Sequence, residues 1–250
     1  MALKSTFRKQ GNWLFKYRGS IPLVVLLIGA GMIIYSDLNP ETSFIKQTSY
    51  ERIYETFCIL VSLFGLYIRI ITVGHTPVNT SGRNTDKQIA DVLNTTGMYS
   101  TVRHPLYLGN FFMWFGPALL TFNLWFIVAF CLFYWLYYER IMFAEEEFLE
   151  ESFGKVYTDW ADTVPAFVPG FKNYKKPGLP FSWKKILKKE KNGLAAILLI
   201  FTFFDVVGEL INGSTDFNYY LIGACILTTV LYLVLKFLKH NTNVLNETGR

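Results

Sequence analysis

The alternation of apolar and polar stretches along the chain predicts helices that cross a membrane. Four predominantly apolar runs are long enough to span about 30 Å of hydrocarbon, at residues 21–36, 53–73, 193–211 and 219–238. A longer apolar and aromatic stretch, residues 106–138, predicts two short helices that turn near residues 121–123. We therefore expect an all-α integral membrane protein with about six transmembrane helices, including a tight helical hairpin.

Composition and charge placement agree with this pattern. The sequence is 52% hydrophobic and only 17% charged, which excludes an ordinary water-soluble domain. Five basic residues precede the first run and ten more lie between residues 140 and 191, whereas the loops on the other side hold few. By the positive-inside rule, both termini are predicted in the cytosol. In a bacterium, the protein would then lie in the inner membrane. The membrane explains the net charge of +5, so no nucleic-acid partner is expected.

The predicted spans divide the chain into three parts. Residues 1–73 hold an N-terminal tail and two spans, residues 74–170 hold a cytosolic loop, the hairpin and an amphipathic segment, and residues 171–250 hold a basic linker and two further spans. Apolar residues recur at helical spacing through residues 149–160, with Gly154 between them, which predicts an interfacial helix in two pieces. Residues 183–191 hold five lysines and predict a separate surface-bound stretch. The last two spans could face lipid or a second copy in a homodimer.

Two polar clusters flank the hairpin. The first, residues 97–110, places Tyr99, Arg103, His104 and Tyr107 at the predicted membrane entry, and composition alone describes it as an interface anchor. The second, residues 139–147 at the hairpin's exit, is acidic and alone indicates a solvated helix face. Because a tight hairpin returns the chain to the side that it left, the two clusters are expected to meet. Ionisable groups beside the membrane are candidates for function.

Three blocks of residues carry a resemblance to a known family. They read Gly97-x-Tyr99-x-x-x-Arg103-His104-Pro105-x-Tyr107-x-Gly109, then Glu145-Glu146-x-x-Leu149-x-x-x-Phe153-Gly154-x-x-Tyr157, then Val164-Pro165 and Pro169. In this order, with the hairpin between them, they resemble the isoprenylcysteine carboxyl methyltransferase and phospholipid methyltransferase superfamily. The resemblance implies S-adenosylmethionine as the methyl donor and a membrane lipid or lipid-linked substrate. Consistently, no Gly-x-Gly-x-x-Gly motif for a Rossmann-type site follows a strand.

The resemblance also implies which residues form the site. The donor would occupy a cytosolic cofactor pocket made of Asp91, Val92, Leu93, Asn94, Tyr99, His104, Pro105, Leu106, Tyr107 and Glu145. Asn84 aligns with a further family contact. If the acceptor is a carboxylate or a phosphate, Arg103 or Arg140 would position it through paired hydrogen bonds. If the acceptor is an amine, Glu146 would be the general base. No metal site is expected, because His and Cys residues lack ligand spacing.

One departure from the family pattern and two alternative functions stay open. Where the carboxyl methyltransferase branch has an arginine that contacts the substrate, this chain has Ile141, which is closer to the phospholipid-type pattern. An NADPH-dependent sterol or isoprenoid reductase is a second possibility, although only Arg83 and Lys87 are suitably placed cations. A non-catalytic membrane scaffold with the same fold is the third.

Overall fold

The chain is folded entirely from helices. The computed structural model describes residues 2–43, 45–46, 48–78, 80 and 88–250, and within these ranges no residue lies in a strand. Asn84, Arg83 and Lys87 lie outside the described residues. The helices are α1 (Ala2–Lys16), α2 (Ile21–Leu38), α3 (Glu51–Val73), α4 (Pro105–Leu119), α5 (Leu124–Phe153), α6 (Lys155–Ala161), α7 (Trp183–Ile211) and α8 (Tyr219–Asn241).

The apolar helices confirm an all-α membrane protein. In the described part of the chain, α3, α5, α7 and α8 are long and apolar enough to cross a membrane, and α2 contributes a shorter apolar helix. Large apolar side chains point outward from these helices, such as Leu27 at 72%, Trp125 at 79% and Leu227 at 71% exposure. Outward faces of this kind are costly in water and are the normal surface in lipid.

The predicted hairpin is confirmed as α4 and α5, but α5 is not short: it has 30 residues and includes residues 149–153, the first piece of the predicted interfacial helix. Pro105 stands at the start of α4, where proline lacks only an amide hydrogen that the helix would leave unbonded. Between the two helices, Phe122 adopts a left-handed conformation with φ of 53°. The side chain of Asn123 then caps α5 by accepting a hydrogen bond from the amide of Phe126 at 2.9 Å. The turn therefore reverses the chain within a few residues.

Glycines let α3 and α4 approach each other closely. A Cβ atom on Gly65 would overlap the carbonyl oxygen of Gly109 and the amide nitrogen of Met113. Beside this contact, the hydroxyl of Ser62 donates to the carbonyl oxygen of Met113 at 3.0 Å. Small residues at a helix interface allow this approach in membranes, where packing rather than the hydrophobic effect joins helices.

A buried ion pair ties α7 to α3 and α4. The guanidinium group of Arg69 donates to both carboxylate oxygens of Glu190 at 2.8 Å and to the side-chain oxygen of Asn110 at 2.8 Å. The side chains of Arg69 and Glu190 are only 16% and 4% exposed. Because each charge is paired and hydrogen-bonded, the network can persist away from water.

The structure corrects one sequence expectation outside the hairpin and adds one helix. Residues 183–191 are not a separate surface stretch, because α7 runs without a break from Trp183 to Ile211. The N-terminal tail is a helix, α1, which packs on α5. Arg8 of α1 pairs with Glu151 at 2.6 and 2.9 Å. The interruption at Gly154 is confirmed, since it has a φ of 53° and separates α5 from α6.

The close packing of α3 on α4 generates a first prediction. We expect Gly65→Ala to lower the free energy of unfolding by about 1–3 kcal/mol, because the added methyl group forces two backbones apart. Thermal unfolding in detergent measures the change. The matched control is Gly31→Ala in α2, where a Cβ would meet nothing within 4 Å; equal effects of the two substitutions would contradict the packing argument.

Candidate active site

The two feet of the hairpin, residues 103–107 and 145–146, meet at one end of the helix bundle. The imidazole Nε2 of His104 lies 2.8 Å from Oε1 of Glu146. Its other nitrogen, Nδ1, lies 3.6 Å from Oε2 of Glu145. Because a carboxylate only accepts hydrogen bonds, Nε2 carries the proton toward Glu146. The structure thus brings His104, Glu145 and Glu146 together, as the hairpin topology predicts.

Arg103 is held by several partners at once. Its Nε and Nη2 atoms donate to the two oxygens of Glu146 at 2.8 and 3.3 Å. Its Nη1 atom donates to the carbonyl oxygens of Ala161 and Val164 at 2.7 and 3.0 Å. Arg103 therefore fastens the segment after α6 onto the hairpin. The predicted role in positioning an acceptor stays a prediction, since every nitrogen of the guanidinium group already has a partner.

Backbone pairing fixes the same segment against the start of α4. The amide of Arg103 donates to the carbonyl oxygen of Pro165 at 2.9 Å, and the amide of Gly170 donates to the carbonyl oxygen of Thr101 at 2.8 Å. The Val164-Pro165 and Pro169 block of the sequence therefore lies directly beside the Arg103-His104 block. Residues that are some 60 positions apart in sequence share one wall of the cluster.

The environment of Glu146 keeps its carboxyl group ionised. Burial alone would raise the pKa of Glu146, but the hydrogen bond from His104 and the charge and hydrogen bond of Arg103 outweigh it and lower the pKa below its ordinary value. Stabilisation of the charged form by donors and a cation is the usual cause of such a shift. Glu146 is therefore a weak proton acceptor.

An aromatic wall continues the cluster toward the membrane. The rings of His104 and Tyr107 stack with their centroids 5.7 Å apart, and Tyr107 meets Tyr138 at 4.8 Å. The hydroxyl of Tyr134 donates to the carbonyl oxygen of Tyr107 at 2.6 Å. On the other side, burial and then the nearby charge of Glu145 raise the pKa of Tyr99. Glu145 thus lies among aromatic rings, and its side chain is 31% exposed.

The other predicted donor-site residues belong to α4 or to the segment that precedes it. Pro105 is fully buried in the first turn of α4, and Leu106 follows it. Asp91, Val92, Leu93 and Asn94 lie in the irregular segment that leads to the turn at Gly97–Ser100. Asp91 and Val92 are exposed, whereas Leu93 and Asn94 are half-buried. Their predicted contact with a donor stays a prediction.

Arg140 is placed on a different face of α5. Its guanidinium group pairs with Glu139 at 2.7 Å and lies 3.6 Å from the ring centre of Phe7 in α1. Its neighbour Ile141 is fully buried in the core. The contacts of Arg140 are those of a residue that docks α1, and they give no support to the predicted role in positioning an acceptor.

Two side chains near the cluster were not assigned a role from the sequence. The hydroxyl of Tyr157 and the indole nitrogen of Trp160 are shielded from solvent and have no hydrogen-bond partner within the described ranges. Burial and then the charge of Glu146 raise the pKa of Tyr157, which places it beside the carboxylates. Tyr157 stands in the family motif and Trp160 in the amphipathic pattern, but neither pattern reveals a missing hydrogen-bond partner.

The fold and cluster define an α-helical membrane protein with a polar site at one end, and comparisons with known proteins refine this class. Residues 57–156 match the family described as phospholipid methyltransferase. The protein-S-isoprenylcysteine O-methyltransferase of Saccharomyces cerevisiae is 29% identical over 140 residues, which cover 55% of this chain and 58% of that protein. That of Tribolium castaneum is 30% identical over 123 residues, 46% of this chain and 44% of that protein.

A plant relative extends the same picture. Protein-S-isoprenylcysteine O-methyltransferase B of Arabidopsis thaliana is 34% identical over 119 residues, 44% of this chain and 59% of that protein. The chain therefore spans about half of the length of these relatives. No solved structure matches the chain. The matches confirm its resemblance to the isoprenylcysteine carboxyl methyltransferase and phospholipid methyltransferase superfamily.

The ionic contacts of Glu146 with Arg103 and His104 generate a prediction about how acidic pH changes the stability of the protein. The folded-state pKa of Glu146 is below its ordinary value. The ionised carboxylate therefore stabilises the fold at neutral pH, and this stabilisation is lost as pH falls through the folded-state pKa. We expect Glu146→Gln to lower the free energy of unfolding by about 2 kcal/mol at neutral pH. The difference from the unsubstituted chain should shrink as pH falls below 4.5, the ordinary value.

Thermal unfolding in detergent across this pH range measures the effect. Glu150→Gln is the matched control, since Glu150 is exposed on the same helix and its substitution should leave stability nearly unchanged at each pH. A pH-independent loss for Glu146→Gln would contradict the ionic bridge.

Proposed function

We propose that this chain transfers a methyl group from S-adenosylmethionine to an oxygen of a membrane-embedded lipid or lipid-linked acceptor at the cytosolic face. One observation carries the proposal: the cluster around His104 and Glu145 adjoins an apolar groove between membrane helices. A water-soluble donor and a lipid can therefore reach the same point from opposite sides. The similarity of residues 57–156 to the phospholipid methyltransferase family supports the same conclusion.

The donor side of the cluster fits S-adenosylmethionine chemically. This donor supplies a methyl group activated by a sulfonium charge, together with an ammonium and a carboxylate group. Glu145 is partly exposed and suits the ammonium group. The rings of Tyr99 and Tyr107 suit a cation, because aromatic faces attract positive charge. The indole nitrogen of Trp160 has no hydrogen-bond partner among the described residues and is available to a carboxylate.

The acceptor side is an apolar groove that reaches the same cluster. Six of its lining residues come from α2, α4 and α5, and they are Pro22, Val25, Trp114, Phe130, Phe133 and Tyr137. The groove is narrow, with a free volume of about 20 Å³. Its remaining walls are Tyr134 and Tyr138, which contact Tyr107. A hydrocarbon chain that enters as these side chains move apart would direct its polar end toward Tyr107 and Glu145.

The state of Glu146 bears on the acceptor group. An amine needs a base to remove its proton, whereas a carboxylate or a phosphate is already ionised. Glu146 is a weak base because Arg103 and His104 hold its charged form. We therefore favour an ionised oxygen acceptor, which agrees with the O-methylation stated in the names of the relatives. For such a reaction, the enzyme mainly has to align acceptor, methyl group and leaving group.

Donor binding generates the next prediction. We expect calorimetric titration with S-adenosylhomocysteine to show binding to the purified chain, and His104→Ala or Glu145→Gln to weaken it about tenfold or more, since each removes a polar contact. Glu150→Gln should bind like the unsubstituted chain. Absence of binding in both detergent and lipid would refute the proposed function. Binding of NADPH instead would indicate a reductase.

The groove generates a prediction about the acceptor. Val25→Trp should fill the groove and lower lipid methylation. The affinity of this variant for S-adenosylhomocysteine should stay unchanged. Val24→Trp is the matched control, because Val24 is 57% exposed on the outer face of the same helix. Lipid mass spectrometry of cells with and without the gene identifies the species that loses a methyl group. Equal methylation by both variants would contradict entry through the groove.

A further inference from the structure

The segment after α8, residues 242–250, packs back onto the start of α7. Leu245 anchors this tail segment, since its side chain is only 6% exposed. Next to it, the side-chain oxygen of Asn246 accepts a hydrogen bond from Nζ of Lys188 in α7 at 2.8 Å. The tail segment lies outside residues 57–156, which match the methyltransferase family, so the match assigns it no role.

Arg250 of the tail segment joins the chain just after α3 to the linker that precedes α7. Its Nη1 atom donates to the carbonyl oxygens of Gly74 and Thr76 at 3.4 and 3.3 Å. Its Nη2 atom donates to the carbonyl oxygen of Pro180. Because a guanidinium group has several donors in one plane, this single side chain can bridge several backbone oxygens. Arg250 therefore fixes two stretches of chain that are about 100 positions apart in sequence.

Glu247 holds the same junction through the first turn of α7. The hydroxyl of Ser182 donates to the carboxylate of Glu247 and accepts from the amide of Lys185 at 3.1 Å, so that Ser182 also caps α7. The amide of Ser182 donates to the carbonyl oxygen of Gly74 at 2.9 Å. Ser182 is only 2% exposed. Glu247 and Arg250 thus act on one buried junction.

The other end of the same linker pairs with the turn at Gly97–Ser100, which carries Tyr99. The amide of Gly97 donates to the carbonyl oxygen of Lys175 at 2.9 Å. The amide of Lys175 in turn donates to the hydroxyl oxygen of Ser100 at 2.9 Å. Residues 175–182 contain no helix or strand. The path of this linker is therefore set by individual contacts, including those at its two ends.

The linker, residues 175–182, thus connects the tail segment to the turn that carries Tyr99. We propose that the tail segment acts as a latch, which keeps the linker in place and thereby positions Tyr99 for the donor. Glu247 and Arg250 are positioning residues in this proposal, because they reach the donor only through the linker. The role toward the donor rests on the function proposed above, whereas the coupling between the latch and the turn does not.

Hydrogen–deuterium exchange of the full chain in detergent tests the coupling without any ligand. The double variant Glu247→Ala/Arg250→Ala removes the charged contacts of the latch. We expect amide exchange at Gly97 and Lys175 to become about tenfold faster or more, because local opening then costs less free energy. The amide of Ile141, which is fully buried in α5, should exchange as slowly as in the unsubstituted chain. This comparison distinguishes local release from general unfolding.

Two further variants control the experiment. Thr248→Ala is the matched control, because Thr248 is exposed in the same segment. Glu247→Gln/Arg250→Lys keeps an acceptor for Ser182 and a cationic donor for the carbonyl oxygens, and it should restore slow exchange at Gly97. Thermal unfolding of each variant verifies the fold. If the double alanine variant does not fold, Arg250→Ala alone is sufficient, since it removes the three hydrogen bonds to backbone oxygens.

Calorimetric titration with S-adenosylhomocysteine tests the role toward the donor. The double alanine variant should bind it about tenfold more weakly than Thr248→Ala, because binding must then order the turn again. The variant Glu247→Gln/Arg250→Lys should bind like the control.

The outcomes separate this proposal from the proposed function. The latch is overturned if exchange at Gly97 and Lys175 is the same in the double alanine variant and in Thr248→Ala. The positioning of Tyr99 is overturned if exchange becomes faster while the affinity for S-adenosylhomocysteine stays unchanged. Absence of binding to the unsubstituted chain would refute the proposed function and any role toward the donor, and exchange would still decide whether the latch holds the turn.

Discussion

The carboxylate of Glu146 holds the candidate active site together. It accepts from Arg103 and from His104, both at the entry of the hairpin, while it stands near the hairpin's exit. Arg103 carries the connection onward to the carbonyl oxygens at Ala161 and Val164. Three separated stretches of chain thus depend on one carboxylate. Because charges partly shielded from water are costly without their partners, loss of Glu146 weakens the hold on all three stretches.

The membrane helices impose a second constraint on the same end of the molecule. Lipid offers no hydrogen bonds, so a charged side chain within the bundle must find all its partners in the protein. Arg69 satisfies this requirement with Glu190 and Asn110, and so joins α7 to the hairpin through α4. The position of α4, which begins with the site residues, is therefore set by glycine packing on one side and by this ion pair on the other.

The sequence was sufficient for the parts of the fold that depend on hydrophobicity and chain reversal. Apolar runs predict the membrane helices, and the hairpin predicts the meeting of His104 with Glu145. The sequence did not reveal where α7 begins, because its lysines resemble a surface segment although the helix continues through them. Nor did it reveal the direction of Arg140. One helical position rotates a side chain by about 100°, and only the packing of α1 shows which neighbour that side chain meets.

The two adjacent glutamates have different surroundings because successive side chains on a helix point in directions about 100° apart. Glu146 is turned toward Arg103 and is held as an anion, whereas Glu145 is turned toward Tyr99 and Tyr107 and keeps an accessible carboxylate. A reaction that needed a strong base would be poorly served by this arrangement. An in-line transfer to an oxygen that is already ionised needs alignment above all. A cluster that uses the pair of Arg103 and Glu146 to hold three chain segments in place is suited to that demand. The weak basicity of Glu146 favours the same class of acceptor, an oxygen that is already ionised.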